Sequence, residues 1–258
     1  MNGNPSRSYL LAMRLVVSLV FVMASSAMSG APGPLRTSRQ CVVVVAEKWS
    51  ARTGMLGGFE RAGPDAPWKM HGKPTPVVLG KKGLAWGVGL LPADRAVRQK
   101  REGDNKVPAG VFKLGPAFGY APADAARWIR LKYSPLTEQT EAIDDPRSQY
   151  YNRLVERSQV ARVDWHSSEQ MRRKDHLYKW GIVVDHNPAA VPGAGSCIFI
   201  HIWKDSASPT VGCTAMPETE LVNLLKWLDP AAHPVLVQLP RDEYFRLRPT
   251  LSAPRFLQ

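Results

Sequence analysis

The sequence predicts a mainly β protein, and three observations predict it. Apolar runs are short and rich in β-branched residues, as at residues 41–46 and 197–203. The 20 glycines and 22 prolines punctuate the chain too often for a helical bundle. At 258 residues with 44% hydrophobic content, the chain can bury a sizeable core and most simply forms one domain.

Taken in order, residues 1–29 carry Arg7 and Arg14, no acid, an apolar run at 15–24, and the small residues Ser25, Ala27 and Ser29. Those are the three regions of a secretory signal peptide, and the run is short for a membrane span. The alternative is an uncleaved N-terminal anchor, because residues 10–24 are nearly continuous apart from Arg14. No cysteine stands where a lipoprotein signal needs one. Residues 30–40, with Pro32 and Pro34, read as a linker, and residues 41–258 as the folded domain.

Within that domain, residues 41–46 read as a buried strand and 49–68 as a hairpin-like passage of turns and short strands. Residues 76–79 and 84–90 read as strands joined by the basic turn at 80–83, which lacks the phosphate-loop pattern. A charged loop at 95–106 leads to the Val107-Pro108-Ala109-Gly110 segment, read as a tight turn before a strand at 111–114. Residues 124–131 fit neither period. Residues 137–173 form a long polar insertion that either covers a groove, with Tyr150, Tyr151 and Trp165 as walls, or is a surface excursion with its aromatics pinned to the core. Residues 177–185 read as a strand antiparallel to 197–203, which brings His186 or Asn187 near one end of the latter. A last strand is expected at 234–239, followed by a basic tail.

The chemistry concentrates at residues 193–229. Side-chain alternation puts Ile198, Ile200 and Ile202 on one face of the strand and Cys197, Phe199, His201 and Trp203 on the other. After a polar loop comes Val211-Gly212-Cys213-Thr214, then Pro217 with Glu218 and Glu220, and Leu221, Leu224, Leu225 and Leu228 at helical spacing. Cys213 is thus expected on the approach to a helix N-terminus, where the helix dipole and an imidazolium from His201 favour thiolate. Gly212 leaves room for a substrate carbonyl, and backbone N–H groups of Gly212 and Cys213 form the candidate oxyanion site. A buried structural cysteine and a satisfied core histidine are the plainer alternative.

His201 and Thr210-Val211-Gly212-Cys213 resemble the signature of the L,D-transpeptidase family, whose YkuD-type catalytic domain has a strand histidine followed by a Ser/Thr-x-Gly-Cys motif. The segment 103–112, with Lys106-Val107-Pro108-Ala109-Gly110-Val111-Phe112, is similar to the family's K-T-P-x-G-x-F hallmark. Val211 and Thr214-Ala215 depart from the family's usual neighbours of the cysteine, and the eleven-residue loop between His201 and Cys213 is short for it, so the resemblance is to a divergent branch. It implies a mixed β-sandwich or barrel with one helix after the cysteine and a capping insertion. It further implies an exported cysteine acyltransferase on peptidoglycan stem peptides, with Cys213 as nucleophile, His201 as base and the Ile202 carbonyl orienting the imidazole. Thr210, Thr214, His186 and Asn187 are the candidate substrate contacts. A cysteine hydrolase on the same scaffold, or a non-catalytic wall-binding domain, are the alternatives.

Charge and composition bound the partners. The chain carries a formal +12, and removing residues 1–29 takes away two arginines and no acid, leaving +10. Such a charge suits an anionic polymer such as cell wall in the periplasm or beyond. No nucleic-acid motif is present. The six histidines show no H-E-x-x-H, so no metal or other cofactor is expected, and no carboxylate pair suggests a glycosidase. No membrane partner beyond an N-terminal anchor is expected, and the chain is expected to be a monomer. Cys41, Cys197 and Cys213 are odd in number, so either Cys41 and Cys197 form a disulfide that leaves Cys213 free, or both are reduced, buried thiols.

Overall fold

A computed structural model describes Met1, residues 33–92 and residues 98–257. The expected signal peptide lies outside the described residues. The strands β1 (Gln40–Ala46), β2 (Thr53–Glu60), β3 (Lys69–Val78), β4 (Leu84–Trp86), β5 (Val107–Gly119) and β6 (Tyr133–Pro135) come first. The insertion supplies β7 (Thr140–Ile143), β8 (Leu154–Glu156) and β9 (Ser168–Gln170). Then follow β10 (Trp180–Val184), β11 (Phe199–Ile202), β12 (Thr214–Met216), α1 (Glu218–Trp227), β13 (Val235–Pro240) and α2 (Arg241–Leu251). Strand outweighs helix by 34% to 12%, so the chain is mainly β as its composition predicts.

Eight strands close into a barrel in the order β10, β11, β12, β3, β2, β1, β13, β5, with β5 returning to pair β10. Closure leaves no open edge along this ring. Every residue of β1 is buried, because it runs parallel to β13 and antiparallel to β2 with α2 packed against it. The Cys41-Val-Val-Val-Val-Ala46 run is what such a doubly covered strand requires. Ile198, Ile200 and Ile202 join the main core with Leu221, Leu224 and Leu225 of α1. Phe199, Phe118 and Cys213 lie instead in a second core with Ala142 and Met171 of the insertion. A three-stranded sheet does not fit inside an eight-stranded barrel, so this second core is on the outer face.

The insertion is therefore not irregular. It folds as a sheet of order β8, β7, β9 laid over the outer face. Buried Glu141 organises it, accepting from Arg157 (2.9 Å), Trp165 (2.7 Å) and Ser168 (2.6 Å). Strands of three or four residues are too short for periodicity to reveal.

Several elements differ from expectation. The 107–110 segment is not a turn but the start of the thirteen-residue β5. Pro108 is tolerated there because it is the second residue of the strand. Glycines 54, 57 and 58 sit within β2, not in turns; a Cβ at Gly54 would lie 2.8 Å from the Val45 carbonyl oxygen, and one at Gly57 2.8 Å from the Phe256 ring. The strand expected at 84–90 stops at Trp86, residues 124–128 form turns, and residues 129–131 are irregular. α2 was hidden by Pro249 inside it and by a face on which only Tyr244 and Leu251 are buried. In the described part of the 30–40 linker, Leu35 is buried, and Arg61 donates to the carbonyls of Leu35, Arg36 (3.1 Å) and Ser38 (2.8 Å). Cys41 lies in the main core and Cys197 against the second, all three cysteines are free thiols, and the pairing of Cys41 with Cys197 does not exist.

One buried polar link ties three elements together. Thr214 Oγ1 donates to Gln238 Oε1 (2.6 Å), and Gln238 Nε2 donates to the Pro108 carbonyl (2.7 Å). Gln238 is fully buried, so Gln238→Leu strands both partners. The expected cost is about 2–3 kcal/mol in urea unfolding, and a change below about 0.5 kcal/mol shows that the link is dispensable.

Candidate active site

The strand β11 carries His201 outward, and Cys213 immediately precedes its parallel neighbour β12. The register places His201 beside Ala215 and Ile200 beside Thr214, so Cys213, two residues before Ala215, shares the face of His201 one strand away. Both are 7% exposed, and both line a single cleft of about 420 Å³. Cys213 thus borders the cleft while its side chain stays almost wholly buried.

Backbone geometry fixes both groups. His201 Nδ1 lies 2.7 Å from the Ile202 carbonyl oxygen. A carbonyl only accepts, so Nδ1 carries the proton and Nε2 is left as the basic nitrogen. The Cys213 sulfur accepts from the Phe199 N–H at 3.3 Å. Gly181 lies opposite His201 in β10, and a Cβ there would meet the Phe118 ring at 2.2 Å. Only glycine lets that ring close the second core beside the imidazole.

The remaining expected residues divide. Gly212 and Thr210 line the cleft, but the Gly212 N–H donates to Thr210 Oγ1 (3.2 Å) and that hydroxyl donates to the Cys213 carbonyl (2.5 Å). Thr210 thus shapes the loop that presents Cys213. Thr214 points away from the cleft to Gln238 and does not contact a substrate there. His186 and Asn187 stand near one end of β11, as the antiparallel pairing predicts, yet neither lines the cleft. His186 Nδ1 accepts from the Val88 N–H (3.2 Å) and its Nε2 faces the Ala194 carbonyl (3.0 Å). Asn187 donates to the carbonyls of Val191 (3.0 Å) and Gly195 (3.1 Å), so both residues hold the 187–195 loop.

No family model, characterised protein or solved structure matches the chain. The site's chemistry therefore rests on its own residues.

The insertion roofs the cleft with residues other than the expected aromatics. Ala142, Asp144, Glu169 and Arg173 line it. Tyr150 packs edge-on to Trp165 at 5.5 Å, and Tyr151 donates to Glu102 Oε2 (2.5 Å), so these rings brace the roof and do not wall the cleft. Glu169, Arg173 and Tyr178 carried no spacing signal in the sequence. Glu169 meets the site because β7 to β9 fold back over β11, and Arg173 and Tyr178 because the chain from β9 to β10 runs beside it.

Electrostatics hold the pair neutral. Burial pushes the Cys213 thiol up to about 12, reinforced by the Glu169 carboxylate and opposed by the Phe199 N–H, Lys100 and Arg173. Burial likewise lowers the His201 imidazolium to about 4; the Ile202 carbonyl opposes this, and Arg173 adds to it. The helix does not help. Three strand residues and Pro217 separate Cys213 from α1, beyond the first turn in which a helix dipole acts. Among the described residues no group of three or more His, Cys, Asp or Glu is placed to hold a metal ion.

These directions carry a signed expectation. A thiol raised to about 12 stays protonated until the pH approaches that value, so Cys213 alkylation by iodoacetamide at pH ~7 is roughly a thousandfold slower than for a free thiol and climbs steadily with pH. A plateau at about pH 5–6 in alkylation mapped to Cys213 by mass spectrometry identifies a preformed thiolate–imidazolium pair instead.

Proposed function

We propose that this chain is an exported cysteine acyltransferase of the L,D-transpeptidase type, acting on the stem peptides of peptidoglycan. The observation that carries the reading is a thiol and an imidazole on adjoining parallel segments, bordering one cleft, with the imidazole's Nδ1 capped by the carbonyl of the following residue. The motif resemblance around Cys213 and the signal-like residues 1–29 supply the substrate class and the export route.

A neutral resting pair is compatible with these roles. Nε2 of His201 takes the Sγ–H proton as the sulfur attacks the scissile carbonyl carbon, so charge develops only in the transition state. The Cys213 N–H receives the oxyanion, joined by the Gly212 N–H once it leaves Thr210. Collapse breaks the C–N bond, Nε2 returns the proton to the leaving amine, and a thioester remains on Cys213. An acceptor amine then attacks the thioester carbon, gives its proton to Nε2, and expels the sulfur, which takes that proton back.

A carbapenem, whose strained amide mimics the scissile bond, is expected to add one drug mass to the wild-type protein and none to Cys213→Ala. Retention of the adduct in that variant excludes Cys213 as nucleophile. Incubation with a stem tetrapeptide and an amine acceptor is expected to yield the cross-linked product. A free acid in place of the cross-link assigns a hydrolase on the same scaffold, and no turnover with an inert thiol assigns a wall-binding domain.

A further inference from the structure

The candidate base is held on one flank by a device that the two motifs do not contain. Tyr178, between the insertion and β10, is 4% exposed and packs edge-on to the His201 ring, with centroids 5.1 Å apart at 84°. The same ring meets Phe199 and Phe118, each at 5.8 Å, so its plane is set from three sides. Its hydroxyl donates to both oxygens of Glu169, each at 3.0 Å. Glu169 sits on β9 of the roof and also accepts from Arg173 Nη1 (2.8 Å). Asp175 in turn grips the guanidinium through Nε (2.9 Å) and Nη2 (2.8 Å), and Arg173 Cζ stands 5.2 Å over the Tyr178 ring.

We infer that Tyr178, anchored to the roof by Glu169, is a positioning residue that holds the His201 ring in the orientation its proton transfers require. The Ile202 carbonyl fixes only the Nδ1 end of the imidazole and leaves rotation about that bond open. The perpendicular Tyr178 ring closes that freedom. Because Tyr178 is tied to β9, the base is aligned only where the small sheet is seated on the barrel, and the cleft's roof and its proton-transfer group are set together. A misplacement of about 1 Å in such a group costs on the order of a hundredfold in rate, which makes the clamp worth keeping even though it touches no reacting atom.

This inference rests on His201 serving Cys213 as proposed above, and two reagents separate the claims. Carbapenem acylation needs a proton carried from the sulfur to the lactam nitrogen, whereas iodoacetamide needs only the thiolate. In Tyr178→Phe, which keeps the ring and loses the tie to Glu169, acylation of Cys213 is expected to fall about tenfold, and in Tyr178→Leu about a hundredfold, with alkylation at pH ~9 unchanged in both. Acylation at the wild-type rate in both variants overturns the clamp and leaves the proposed function standing. A parallel loss of acylation and alkylation in Tyr178→Phe also overturns it, since that is general damage to the site. A wild-type protein that alkylates at Cys213 but is not acylated overturns the function and the clamp with it.

Discussion

The parallel pairing of β11 with β12 is the constraint on which the rest depends. It is a two-strand contact made across an eleven-residue loop, and it sets His201 and Cys213 on the same outer face of the barrel, one strand and two residues apart. Parallel neighbours need a crossover, and here the crossover is too short for a helix. Bridges from residue 210 to the β3–β4 turn hold it instead, with the Thr210 N–H on the Leu79 carbonyl (2.9 Å) and the Lys81 N–H on the Thr210 carbonyl (2.8 Å). The polar loop is thus stitched to the barrel rim at its far end, and Cys213 emerges from a fixed point.

The barrel and the roof divide the labour. Closure through β5 and β10 gives the strands that carry the candidate pair an unyielding support, with Ile198, Ile200 and Ile202 packed into the main core. The opposite side chains of the same strand face the insertion, whose own cohesion comes from buried carboxylates such as Glu141. Neither layer alone encloses the cleft.

Much of the barrel was legible because its strands obey local rules. The alternation at residues 197–203 assigned each side chain to its correct face, although the strand itself begins only at Phe199 because Cys197 adopts a left-handed backbone, φ 52°. The helix expected after Pro217 from its leucine spacing is α1. What failed was non-local. Thr214 looked like a site residue because it follows Cys213, but the pleat turns it toward Gln238. His186 and Asn187 were placed at the right end of the sheet, yet no sequence rule says that their hydrogen bonds go to a loop. Glu169 reaches Tyr178 from a small sheet whose strands are too short to show a period, and Tyr178 meets His201 from just before β10, so this half of the site was invisible until the chain was folded.

A thiol kept protonated in the resting protein has a further consequence. Peroxide oxidation of cysteine starts from the thiolate, and so does exchange with disulfides. By withholding that form, burial shields the Cys213 sulfur from the slow oxidative ageing that exposed thiolates undergo.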